Sequence, residues 1–167
     1  QGSAETRSRF ESTDTTAITI GAGANQLLIA TVAYVGNPGA VPAISSVVYN
    51  TTETMTAVPS SRKVAINISA SEIAIELFYL KAPTQGTLSA VVTLAAATYA
   101  VVVALACYDD VDQTTPFANV NTNTGTDTTP DVTITSAVGE TIFAAANTIQ
   151  TAGAITTTRT LTAADSG

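Results

Sequence analysis

The sequence predicts an all-β fold, an antiparallel β-sandwich or jelly roll of about ten strands. Three observations predict it. The apolar runs are short and rich in Val, Ile, Leu, Phe and Tyr, each long enough for a strand and too short to cross a bilayer as a helix. Turn residues divide them at intervals of roughly 8–12 residues. Nowhere do apolar residues recur with a helical period. The densest stretch, Ser71 to Pro116, holds three such runs, cut by two turns and closed by an acidic loop. A closed barrel is the second architecture this pattern allows.

Residues 1–14 are polar with Phe10 as their one large hydrophobe, and read as a flexible N-terminal arm ahead of a single sandwich domain over 15–167. Thr15 to Ile20 is the first predicted strand, and Gly21 to Asn25 a turn. Gln26 to Val35 is so apolar that both its faces must be covered, which predicts a central strand. Gly36-Asn37-Pro38-Gly39 is a loop. Ile44 to Tyr49 is a strand, and Thr54 to Val58 returns from it until Pro59-Ser60-Ser61 interrupts. Lys63 to Ser69 alternates apolar and polar residues, the pattern of a half-exposed strand. Three strands follow in the dense block: Ile73 to Leu80, Thr87 to Ala95 and Thr98 to Tyr108. After the Asn- and Thr-rich loop Phe117 to Thr129, further strands are expected at Asp131 to Ser136, Thr141 to Ala146 and Ile155 to Leu161. There is no internal repeat and no domain boundary.

Composition narrows the function classes. Of 167 residues, 46% are apolar and only 11% charged, so Thr, Ser and Ala hydroxyls and methyls dress the surface. The six basic residues, Arg7, Arg9, Arg62, Lys63, Lys81 and Arg159, form no patch on a chain of net charge −7, which argues against nucleic acid and against an anionic membrane surface. No segment suits membrane insertion. The single cysteine, Cys107, lies in an apolar strand and reads as a small buried hydrophobe that no second cysteine can bridge. The first residue is Gln1, for which a removed secretory signal is the expected explanation. Asn50-Thr51-Thr52 and Asn67-Ile68-Ser69 match the glycosylation acceptor pattern of secreted proteins, making Asn50 and Asn67 candidate acceptors.

Catalytic chemistry is sparse, and no enzyme is expected. Without histidine there is neither a Ser-His-Asp nor a Cys-His arrangement. Gly21-Ala22-Gly23 lacks the third glycine and the following helix of a dinucleotide loop. Glu72 and Glu76 lie on one strand about 13 Å apart, too far for a glycosidase pair, and read as solvated carboxylates. Asp109, Asp110 and Asp112 form the sharpest cluster; carboxylates on a loop suit a hard cation, so Ca²⁺ is the one cofactor considered, although the spacing is not that of an EF-hand. Tyr34, Tyr49, Tyr79, Tyr99 and Tyr108 all fall in strands and are expected in packing rather than on a sugar-binding face.

Three patterns carry a resemblance. They are Asn25-Gln26-Leu27-Leu28-Ile29; Ile44 to Asn50 followed by Met55-Thr56; and Glu76-Leu77-Phe78-Tyr79-Leu80 with Ala82-Pro83, Gly86-Thr87, Val101 to Tyr108 and Val111-Asp112-Gln113-Thr114-Thr115-Pro116. Over roughly Thr15 to Leu161 the chain resembles a β-sandwich module of secreted and surface proteins of bacteria and archaea and of some phage structural proteins. It departs from that pattern at Phe78, where Trp is common, and at Tyr108-Asp109-Asp110, where Ser-Gly is common. The resemblance implies no catalytic residues. It implies a further apolar strand after Ile155 to Leu161, which the chain to Gly167 does not contain.

Either this sequence is cut short of that strand, or the sandwich is one strand short and exposes an edge that a neighbouring subunit can complete. The arm is the candidate donor, with Phe10 as plug and with Ala17, Ile18 and Ile20 if the donor extends to the first strand. The expected function is therefore an extracellular, cell-surface structural subunit that self-assembles into a filament, pilus-like fibre or surface layer. A carbohydrate- or host-surface-binding module, with a glycan as ligand, and a phage or viral structural subunit are the alternatives.

Overall fold

The computed structural model describes residues 3–8, 12–36, 41–66, 72–98, 100–124 and 132–147, with the backbone alone for 3–8 and 66. They form ten strands and no helix: β1 (Ser3–Ser8), β2 (Thr13–Ile20), β3 (Leu27–Gly36), β4 (Ile44–Tyr49), β5 (Glu53–Thr54), β6 (Thr56–Ala57), β7 (Lys63–Ile66), β8 (Glu72–Lys81), β9 (Gly86–Leu94) and β10 (Ala100–Tyr108). The chain is all-β, and the strands make two antiparallel sheets, a β-sandwich. One sheet has the order β1-β10-β3-β8-β6, with β7 also on β8; the other runs β2-β9-β4-β5. We call them the large and the small sheet.

Alternation explains the packing. β2 reads exposed-buried throughout, β10 buries every second residue, and the inward residues of the two sheets meet in one core. Leu28, Val32 and Tyr34 from β3 meet Val103 and Leu105 from β10 and Val47, Tyr49 and Val92 from the small sheet, all at 0–1% exposure. Burying each such side chain contributes about 1.5–3 kcal/mol. β3 lies at the centre of the large sheet, as its unbroken apolar run predicts.

Both flanks of the sandwich are crossed by chain that changes sheets. On one, the chain passes from β1 in the large sheet to β2 in the small. On the other, β5 pairs with β4, Met55 turns inward, and β6 pairs with β8 at Thr56↔Tyr79 and Ala57↔Phe78. The single return strand predicted at Thr54 to Val58 is thus divided at Met55, whose side chain enters the core instead of alternating outward. β7 resumes on the same edge at Lys63↔Ile75. The gap between β6 and β7 is bridged at Leu77: Val58 N–H donates to its carbonyl at 2.8 Å, and the Ser61 hydroxyl both accepts from its N–H at 3.1 Å and donates to its carbonyl at 3.3 Å.

Two sequence expectations are corrected. The described residues of 1–14 are not an arm outside the domain: Ser3–Ser8 pairs with β10 from Ser3↔Ala106 to Ser8↔Val101, and Thr13–Asp14 begins β2. The main-chain groups of a polar segment satisfy a sheet edge as well as those of an apolar one, which composition does not register. The described parts of Asp131–Ser136 and Thr141–Ala146 are also not strands. Asn119 Nδ2 donates to Thr135 O at 3.0 Å and Asn121 Nδ2 to Thr133 O at 2.7 Å, so side-chain amides join these segments where a ladder was expected. The predicted strand Ile155 to Leu161 and the residues Phe10, Asn67 and Tyr99 lie outside the described residues.

Within residues 117–124 and 132–147, Phe117, Phe143 and Asn147 meet the outer side of the large sheet. Phe117 meets Tyr79 edge-on at 5.2 Å between centroids, and Phe143 meets Tyr108 at 6.3 Å. Both tyrosines alternate with core residues, Phe78 and Cys107, and so face outward. Their strand partners are Ile29 and Leu27, which are only 3% and 2% exposed although they also face outward. Asn147 Nδ2 donates to Tyr34 O at 3.4 Å and Ala74 O at 2.9 Å, further along the same strands.

Candidate functional site

At one end of the sandwich, three connections converge: the β2–β3 turn, the β8–β9 turn and the loop after β10. Gln26 is 6% exposed, and its amide nitrogen donates to Gly21 O at 3.0 Å and Asp109 Oδ1 at 2.9 Å. Gly23 leaves the room this pair occupies, since a Cβ there would displace Asp109 Oδ1 and Gln26 Nε2. Main-chain bonds tie the turns together, from Asp110 N to Ala24 O at 2.9 Å and from Val111 N to Asn25 O at 3.0 Å. Gln113 completes the clamp, donating Nε2 to Asn25 O and Val111 O at 2.9 Å each and to Gln26 O at 3.4 Å. Lys81 Nζ donates to Gln113 O at 2.9 Å.

A cavity of about 240 Å³ opens beside this knot, lined by Thr19, Ile20, Gly21, Ala22, Gln26, Cys107 and Asp109. Its chemistry is limited. Burial pushes the Cys107 thiol up, and the Asp109 carboxylate pushes it the same way, so the nucleophilic thiolate is suppressed. Asp109 already accepts from Gln26.

The three residues considered as Ca²⁺ ligands are not grouped around one point. Asp109 turns to Gln26. Asp110 is exposed at a positive φ of 57°. Asp112 folds back on its own loop, where Oδ1 accepts from Thr114 N at 2.7 Å and Thr115 N at 3.3 Å; these bonds hold its carboxyl below the usual range. Among the described residues no three His, Cys, Asp or Glu side chains are grouped to hold a metal. The competing force is local: an Asp two residues before an amide closes a turn with its own backbone more readily than it waits for a cation.

The remaining candidates are placed as follows. Ile18 and Ile20 are 3% exposed in their own chain's core, on a strand paired with β9 from end to end, so they are not free donor residues; Ala17 points outward. Asn50 is half-buried at a positive φ of 48°, its N–H donating to Ser89 O at 3.0 Å and its carbonyl accepting from Thr52 N at 2.8 Å. Tyr34 and Tyr49 are core residues whose hydroxyls donate to Pro42 O and Thr84 O at 2.8 and 3.0 Å. Tyr79 and Tyr108 are covered in part by phenylalanines.

Sequence reasoning missed Arg62. Its Nε lies 3.6 Å from Glu76 Oε2, with Glu76 only 14% exposed, so that glutamate is not solvated as expected. Burial raises the Glu76 pKa and Arg62 offsets it in part. Alternation could have found the burial of Glu76, though not its partner, since Glu76 falls on the inward register of β8 with Ala74 and Phe78.

These observations define a class: an all-β, two-sheet sandwich whose loops are tied by amide and carboxylate side chains. Compared with family models, curated protein sequences and solved structures, the chain matches none.

Proposed function

We propose that this protein is a non-enzymatic structural subunit, displayed outside the cell, that assembles with copies of itself into a filament or surface layer. The observation that supports it is how the large sheet ends. β10 is apolar at every position, AVVVALACY, yet its outer neighbour is β1, SAETRS, with alanine as its sole apolar residue. A strand that offers main-chain bonds and little apolar surface is held weakly, and the edge behind it is strongly adhesive. The small sheet adds an uncharged outer row on β2, where Thr13, Thr15, Ala17 and Thr19 are exposed, so two acidic copies can approach there without repulsion. Self-completion of sheets by a neighbour's strand is an established use of such an edge.

Sedimentation velocity and negative-stain imaging of the native protein test the reading. Polymers that grow with concentration are expected; a monomer at every concentration would overturn it.

A further inference from the structure

The first strand names the joint. We infer that β1 is exchangeable: residues 3–8, which close the edge of β10 within one chain, occupy the same edge of a second copy when the protein assembles. This rests on the assembly reading above and specifies its contact.

Three observations carry it. First, the slot is defined by backbone. β1 and β10 pair in unbroken register over six residues, Ser3↔Ala106 to Ser8↔Val101. Any copy of the segment satisfies those bonds equally. Second, the slot cannot stay empty. Vacated, β10 would present an apolar edge, so each departing β1 must be replaced, which makes the exchange one-for-one. Third, the segment can leave without taking the core with it. β2 is anchored independently, by its full pairing with β9 and by Thr16, Ile18 and Ile20 at 2–3% exposure. Extended, residues 3–12 reach about 33 Å beyond it, enough to meet a neighbouring sandwich.

Two full-length variants test this, both carrying Cys107→Ala. One has Arg7→Cys and the other Val102→Cys, register partners across β1 and β10. Unfolded together, refolded as a mixture and oxidised, they can form a mixed disulfide only between chains. The expected result is a mixed disulfide at least about tenfold more abundant than that of a control mixture pairing Arg7→Cys with Thr87→Cys on the small sheet. A single-chain variant with both Arg7→Cys and Val102→Cys reports whether the pair folds and oxidises. If that chain closes its own disulfide while the mixture gives no excess over the control, β1 stays in its own chain and the inference is overturned. Imaging the same samples separates the two proposals. Polymers without the mixed disulfide overturn the exchange alone. A closed dimer with the mixed disulfide supports the exchange and overturns the filament reading.

Discussion

Single side chains do work in this fold that their residue type does not announce. Ser61 stands in for a missing strand residue opposite Leu77 and is 3% exposed. Replacing it with alanine orphans a buried donor and acceptor, so Ser61→Ala should destabilise the protein by about 1–3 kcal/mol, read as a lower urea midpoint at unchanged slope. Glu76 is held above its ordinary value of 4.5 by burial against the partial relief of Arg62. The folded state then binds this proton more tightly than the unfolded chain does. The stability linked to it is complete below pH 4.5 and is lost as pH rises through the folded value. Urea midpoints between that pH and neutrality should therefore fall more steeply for wild type than for Glu76→Gln; parallel curves would contradict the burial argument. Cys107, 4% exposed with its thiol pushed up, should resist iodoacetamide at pH 8 in the native protein and react at once in denaturant. Its burial was legible from the apolar run around it. Arg62 and Ser61 were not, because their partners Glu76 and Leu77 are neighbours only after β8 has been laid against the loop before β7.

Among the elements, the loop from Asp109 to Pro116 repays attention to its donors rather than its charges. Gln113 aims one amide nitrogen at three carbonyls, on Asn25, Gln26 and Val111. Gln113→Ala should cost about 1–3 kcal/mol. Gln113→Glu should cost more at neutral pH, since a carboxylate faces carbonyl oxygens, and should recover part of that loss once acidified below about pH 4. A Gln113→Ala midpoint equal to that of the wild type would show that the clamp contributes nothing. The strand signals held where alternation was clean. Ile44–Tyr49 is the predicted element to the residue, and β3, β8, β9 and β10 differ only at their ends. They failed at β1, where a polar segment pairs through its backbone, and at 132–136 and 141–146, where a strand-like composition lies outside both sheets. Gly86, at a φ of 124°, explains the spacing of Pro83 and Gly86: β9 has to start from a conformation that side chains resist.

For the whole molecule, the large sheet is covered on one face by the small sheet and, in part, on the other by residues 117–124 and 132–147. That covering is held by rings and by Asn147, so it should loosen before the sandwich does. Phe143→Ala should uncover Leu27 beside Tyr108, raising binding of the dye ANS while β-sheet circular dichroism persists, at a cost of about 1–3 kcal/mol. No change in dye binding would mean that this segment does not seal the face.

The sequence by itself determined the all-β class, the central place of β3, the alternating inward faces and the burial of Cys107. Each follows from periodicity and hydrophobicity, which are local and additive along the chain. Only the tertiary structure decided that Ser3–Ser8 belongs to the large sheet, that Asp109 and Asp112 serve their own loops, that Ile18 and Ile20 are core, and that Glu76 faces Arg62. In each case the outcome depends on which distant backbone or side-chain group arrives alongside. A hydrogen-bonding group is satisfied by whatever partner the fold brings within about 3 Å, and no pattern along the chain specifies that partner.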